Sequence, residues 1–166
     1  MAQSRPFLEL FSCFAETDPL WVVAELEPGM ENYGTIYKED GERSPEREPG
    51  VNAYLAYANG VRGFLSGWKS AAPAVRVVVQ GPVGQIEIDG RLAVLRWLDG
   101  GTRPLLATGR VSGFQAALLD LIAGVETDRP VQSPPREARK TVALIEAILA
   151  SQRQGNVKAD IGPSPF

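Results

Sequence analysis

Two runs rich in aromatic and aliphatic residues flank Asn59-Gly60 in the stretch Val51 to Lys69, VNAYLAYANGVRGFLSGWK, and no other feature constrains the fold as strongly. The pattern is that of a β-hairpin. Asn and Gly both tolerate positive φ, as the two central positions of a type I′ turn require, and that turn matches the twist of the strands it joins. Further strand signals follow at Val75 to Gln80, Gln85 to Asp89, Arg91 to Leu98 and Thr102 to Ala107. They are separated by Gly81-Pro82-Val83-Gly84, Asp89-Gly90 and Asp99-Gly100-Gly101. Turns this short join antiparallel neighbours, because a parallel pair needs a crossover of about a dozen residues or more. Leu20 to Glu27, LWVVAELE, reads as a strand ahead of the hairpin.

Helical periods occur at the two ends of the chain. Phe7, Leu8, Leu10, Phe11 and Phe14 recur at helical spacing behind Pro6, a residue tolerated in a first turn. At Ser112 the strand punctuation stops. Ser112-Gly113-Phe114-Gln115 fits a capping box, and Phe114, Ala117, Leu118, Leu121, Ile122 and Val125 fall on one helical face. A last helix starts at Ser133-Pro134 and carries Ala138, Val142, Ile145 and Leu149 on one stripe before Gly155 ends it; Val157 to Ala159 reads as a closing strand. The expectation is a single α+β domain over 1–166, an open-faced, mainly antiparallel sheet with helices packed on one face. Tyr54, Tyr57, Phe64, Trp68, Leu95 and Trp97 cannot all point to one side, since alternate strand residues face opposite ways. Apolar surface is therefore expected away from the helices, and such patches mark interfaces.

Composition excludes several classes of function. A chain of 166 residues with 44% hydrophobic and 22% charged residues is an ordinary globular domain. Its net charge of -3 supplies no basic stripe for phosphates, so nucleic acid is not an expected partner. No apolar run approaches the roughly 20 residues that span a bilayer, and Glu9 interrupts the only stretch resembling a leader. Cys13 is the single cysteine, which points to a reducing cytoplasm; set among apolar neighbours, it reads as a buried small hydrophobe. The absence of histidine removes Ser-His-Asp and Cys-His chemistry and any imidazole-bound zinc. The acidic run Glu39-Asp40-Gly41-Glu42 lacks the ligand spacing of a calcium loop and reads as solvated. Neither Gly60-Val61-Arg62-Gly63 nor Gly81-Pro82-Val83-Gly84 has the form G-x-G-x-x-G or a phosphate-loop spacing, and both read as strand punctuation.

Four stretches, taken in order, resemble the C-terminal domain of the Gfo/Idh/MocA family of NAD(P)-dependent oxidoreductases across nearly the whole chain. Tyr54 through Gly63 looks like that family's strand, Asn-Gly turn and returning strand. Val79-Gln80-Gly81-Pro82-Val83-Gly84-Gln85-Ile86-Glu87-Ile88 is similar to its V-x-G-x-x-G-x-I-x-I segment. Phe114 through Ile122 with Glu126 to Pro130 resembles its first C-terminal helix and E-x-x-R-P loop. Ala138 through Ser151, then Val157-Lys158, resembles its last helix and closing strand.

The resemblance implies a partner arrangement. In that family a separate N-terminal Rossmann domain binds NAD or NADP, and the C-terminal sheet closes the substrate site and commonly forms the subunit interface. The family's catalytic lysine lies upstream of anything in this chain. Its T-H-x-x-D-L pattern is met here by Arg5-Pro6-Phe7-Leu8-Glu9-Leu10, so Pro6 takes the histidine position and no catalytic residue carries over. Arg5, Glu9 and Lys69 are the substrate-side candidates. Lys69 is set against the plainer reading of a solvated lysine at a strand end. No cofactor is expected to bind this chain alone, and a homodimer through the open sheet face is the expected assembly. Two functions compete. One is the substrate-side and oligomerisation half of an oxidoreductase acting on a sugar, polyol or related hydroxyl. The other is a stand-alone ligand-binding or scaffold module derived from that half, which Pro6 favours. An in-frame strand followed by G-x-G-x-x-G upstream of Met1 would decide for the first.

Overall fold

The computed structural model describes residues 5–27, 50–67, 76–89, 92–105, 113–132 and 134–162. Helix α1 (Arg5–Ala15) leads into strand β1 (Pro19–Leu26) and the pair β2 (Val51–Tyr57) and β3 (Arg62–Gly67). Strands β4 (Arg76–Gly81), β5 (Gly84–Asp89), β6 (Leu92–Trp97) and β7 (Thr102–Leu105) follow, then α2 (Gly113–Thr127), α3 (Pro135–Arg153) and β8 (Ala159–Asp160). The short strand read at Gly34 to Lys38, the acidic run at Glu39, Trp68, Lys69 and the cap residues Ser112 and Ser133 lie outside the described residues.

The α+β class and the antiparallel pairing are as the sequence implied, but the strands form two sheets instead of one. Their orders are β3-β2-β1-β8 and β4-β5-β6-β7. By their contacts, the described residues of 1–71 and 130–162 form one compact unit and those of 72–129 another. The reason lies in what short turns encode. They fix pairing inside a hairpin and say nothing about which hairpin edges join.

In the first sheet Val22, Ala24 and Leu26 of β1 meet Leu55, Ala53 and Val51 of β2 in register, and all six are buried. Leu8 and Ala15 of α1, Leu144, Ala147 and Ile148 of α3, Tyr57 and Ala159 complete one core, with Phe11, Leu65 and Ile161 packed against it. Each buried branched side chain contributes about 1.5–3 kcal/mol relative to exposure. Both helices thus lie on one face of this sheet. Cys13 is a correction: it is exposed, because at about 100° per residue the inward stripe of α1 is Leu8, Phe11 and Ala15, and position 13 points away.

Strand β8 pairs with β1 only at Trp21 and Val22. Beyond that point α3 answers the open strand edge with side chains: Ala24 N–H donates to Ser151 Oγ at 2.9 Å and Leu26 N–H to Gln152 Oε1 at 2.8 Å. Ser151 in turn donates to the Val157 carbonyl. The helix can place these residues because it stops just there. Gly155 and Asn156 adopt positive φ, and Asn156 N–H returns to the Ser151 carbonyl at 2.8 Å.

The turn at Asn59-Gly60 differs from the type I′ expectation. Tyr57 N–H donates to the Val61 carbonyl and Gly60 N–H to the Tyr57 carbonyl, and of Asn59 and Gly60 only Gly60 has positive φ, at 89°. The loop is therefore Ala58-Asn59-Gly60, a three-residue turn closed by a left-handed glycine. Asn59 keeps an ordinary φ and uses its side chain instead: Oδ1 accepts from Val61 N–H at 3.2 Å and Nδ2 donates to the Ala15 carbonyl at the end of α1, at 2.7 Å. The turn Leu98-Asp99-Gly100 repeats the design, with Gly100 at φ 91° and Asp99 Oδ1 accepting from Gly101 N–H.

Candidate functional site

The face of the first sheet opposite α1 and α3 carries an aromatic ladder across three strands. Trp21 of β1 meets Tyr54 of β2 edge-on, with centroids 5.5 Å apart, and Tyr54 meets Phe64 of β3 at 4.8 Å. The alternation anticipated for the hairpin holds: Val51, Ala53, Leu55 and Tyr57 point into the core, while Tyr54 and its partner Phe64 point out. Phe64 is 75% exposed. At the β8 edge the Lys158 ammonium lies 5.4 Å from the Trp21 ring centroid and pairs with Asp160 at 3.1 Å. At the β3 side Ser66 Oγ donates to Asn52 Oδ1 at 2.8 Å. The patch is apolar in its middle and polar at its rim.

Titratable groups in this unit are arranged for structure. Lys140 on α3 bridges Asp18, ahead of β1, at 2.7 Å and Glu137 at 3.0 Å. Its hydrogen bond to Asp18, then that to Glu137, holds its pKa above the ordinary lysine value. It stays protonated at neutral pH and is a poor general base. Burial pushes the Tyr57 phenol upward, and the Ser12 hydroxyl beside it offsets part of that rise, yet the phenol oxygen forms no hydrogen bond of good geometry.

Of the sequence candidates, Arg5 and Glu9 fall on α1, where the structure describes their backbone and not their side chains; Lys69 lies outside the described residues. No convergence of the three is shown. The aromatic ladder was only half legible. Tyr54 and Phe64 were singled out, whereas Trp21 joins them through the register of β1 on β2, which no local motif encodes.

Among the described residues no cluster of three or more His, Cys, Asp or Glu side chains gathers, and no described helix is long and apolar enough to cross a membrane. The strand pairs among the described residues are antiparallel. A pyrophosphate is cradled by a glycine-rich turn leading from a parallel strand into a helix, and the chain has no G-x-G-x-x-G.

Comparison with solved structures sets this architecture in context. The UDP-N-acetylglucosamine 3-dehydrogenase GnnA from Acidithiobacillus ferrooxidans superposes with a TM-score of 0.71 at 13% identity, over 90% of this chain and 45% of that one. The WlbA dehydrogenase from Bordetella pertussis, solved with NADH and UDP-GlcNAcA, gives 0.64 at 17% identity, over 98% and 44%. Biliverdin reductase from Synechocystis sp. PCC 6803, solved with biliverdin and NADP+, gives 0.64 at 13%, over 91% and 45%. The chain has the fold of a Gfo/Idh/MocA-type oxidoreductase domain. It spans less than half the length of each of these neighbours. At these identities the likeness is one of fold. No family model and no curated protein sequence matches the chain.

Proposed function

We propose that this chain is the substrate-side and oligomerisation domain of a Gfo/Idh/MocA-like NAD(P)-dependent oxidoreductase, working with a separate Rossmann domain that holds the cofactor. The observation that carries the reading is the coverage: 90–98% of this chain superposes on 44–45% of three solved dehydrogenase and reductase structures. Two of those neighbours are named for, or solved with, nucleotide sugars, which favours a sugar hydroxyl as the reacting group. The aromatic ladder Trp21–Tyr54–Phe64 supplies a surface for a second copy, most simply across a two-fold axis, where one patch meets itself.

The chain's own contribution is to close and orient the substrate. The nicotinamide supplies hydride chemistry when bound to the Rossmann half. The test is a pair of titrations on the purified chain. NADH and NADPH, followed by cofactor fluorescence, give no saturable binding, whereas a panel of nucleotide sugars, sugars and polyols, followed by calorimetry, contains a ligand. Micromolar cofactor binding, or no binding across the panel, overturns the reading. Pro6 at the family's histidine position favours a second reading, a ligand-binding module without chemistry. Hydride transfer on mixing the chain with a cofactor-loaded Rossmann domain would sink that one.

A further inference from the structure

The dipeptide Asn59-Gly60 is reactive as well as structural. Asparagine is among the chemically labile residues. A following glycine makes it more so, because with no Cβ it offers the least steric resistance when its backbone nitrogen attacks the asparagine Cγ. In that step the Gly60 nitrogen bonds to Cγ and loses its proton, while Nδ2 takes up a proton and leaves as ammonia. The product is a cyclic succinimide. One water then opens the ring, at Cγ to give aspartate or at the main-chain carbonyl to give isoaspartate. One water is consumed, one ammonia is released, and nothing is oxidised or reduced. Asn32, Asn52 and Asn156 precede tyrosine, alanine and valine, so Asn59 alone has glycine next. It is exposed, and water reaches it.

The fold holds this reaction back. Ring closure has to bring Cγ onto the Gly60 nitrogen, and three hydrogen bonds oppose it. Nδ2 donates to the Ala15 carbonyl at 2.7 Å, Oδ1 accepts from Val61 N–H at 3.2 Å, and Gly60 N–H donates to the Tyr57 carbonyl at 3.1 Å. Only the first of these leaves the turn. Ala15 is buried at the end of α1, and its carbonyl is one of the last four, which find no partner inside a helix. The Asn59 side chain thus caps α1, and the cap stays in place only while α1 stays packed. That packing runs through Leu8, Phe11 and Ala15. Phe11 also lies against β3, where a Cβ on Gly63 would come within 3.0 Å of its ring.

We propose that Asn59 is a covalent modification site governed by the docking of α1: it deamidates when α1 lifts from the sheet, and the aspartate or isoaspartate left behind docks α1 more weakly. The second half follows from what the carboxylate can do. Nδ2 is a donor, whereas an ionised carboxylate only accepts, so after deamidation one acceptor faces another, the Ala15 carbonyl oxygen. They meet at the C-terminal end of a helix, where the carbonyl dipoles already gather negative charge. Isoaspartate further inserts a methylene into the main chain of a turn closed by Gly60 at φ 89°. The coupling is reciprocal: α1 protects the amide, and the amide holds α1. It depends on neither cofactor, substrate nor a second copy of the chain.

The test follows the full chain by peptide mapping and mass spectrometry during incubation in mildly alkaline buffer, with synthetic peptides marking the aspartate and isoaspartate products. In urea Asn59 reacts ahead of the other three asparagines. In the folded chain it reacts at least roughly 10-fold more slowly than in urea. Phe11→Ala, which removes packing from α1, speeds Asn59 by about 10-fold in the folded chain and leaves Asn156 unchanged. Ser151→Ala weakens the other side of the core and leaves Asn59 unchanged. Equal rates in the folded and unfolded chain overturn the proposal, as does a folded Phe11→Ala protein with the parent's rate. An acceleration by Ser151→Ala equal to that by Phe11→Ala would show that global unfolding, and not α1, releases the amide, and overturns it too. Asn59→Asp tests the product whether or not Phe11→Ala folds: hydrogen exchange speeds up along α1 and stays as in the parent along β1 and β2. Unchanged exchange in α1 would mean that the new carboxylate does nothing to the helix, and the proposal falls.

Discussion

Ser151 takes the place of a strand that stops too soon. Its hydroxyl accepts from Ala24 N–H and donates to the Val157 carbonyl, and the residue is fully buried. Ser151→Ala leaves a buried strand N–H without a partner and costs about 1–3 kcal/mol. In urea this appears as a lower midpoint at unchanged slope. Tyr57 is the opposite case, a buried phenol whose oxygen has no well-formed hydrogen bond. Tyr57→Phe removes that oxygen without opening a cavity and should leave stability equal or higher, within about 1 kcal/mol. The pH dependence has a definite sign. The folded phenol holds its proton above the ordinary value of 10.0. Its contribution is constant below that pH and declines as pH rises through the unfolded value toward the folded one. Denaturation of both proteins from pH 8 to alkaline pH, about 11, should show the variant gaining on the parent only above about pH 10. Neither role was legible in the sequence. A serine at position 151 reads as part of a helix, and its bond to a strand 127 residues earlier is a product of packing.

At the scale of elements, glycine spacing was read as punctuation, and the structure gives one of those marks a steric reason. A Cβ on Gly84 would collide with the Arg96 carbonyl and approach the Trp97 Cα at 3.0 Å, so β5 and β6 could not keep their register. Gly84→Ala should lower amide protection across β5 and β6 in hydrogen exchange while leaving β1 and β2 unchanged. Loss of protection spread evenly over both sheets would contradict this. Strand and helix positions followed from alternation and period almost to the residue, because both are local properties of the backbone. A helical stripe says that something covers it and not what. The Asn59 turn failed differently: the dipeptide was correctly found, and its type was decided by a side-chain bond to α1 that lies far off in sequence.

Across the whole molecule, the order of motifs carried the family-level fold, while the division into two sheets stayed hidden because it depends on edges and not on turns. Closure of β1 by β8 and α3 has a consequence in time. The side chains that answer the outer edge of residues 19–26 are made well over a hundred residues after them. At about 5–20 residues per second, the ribosome releases β1 roughly 6–25 s before Ser151 emerges. During that interval Val22, Ala24 and Leu26 have β2 to pair with and α1 beside them, but not α3, whose Leu144, Ala147 and Ile148 complete their cover. Strand β1 is completed only once α3 has been made, so until then the nascent chain offers chaperones and proteases an apolar ribbon covered on one side by α1 alone.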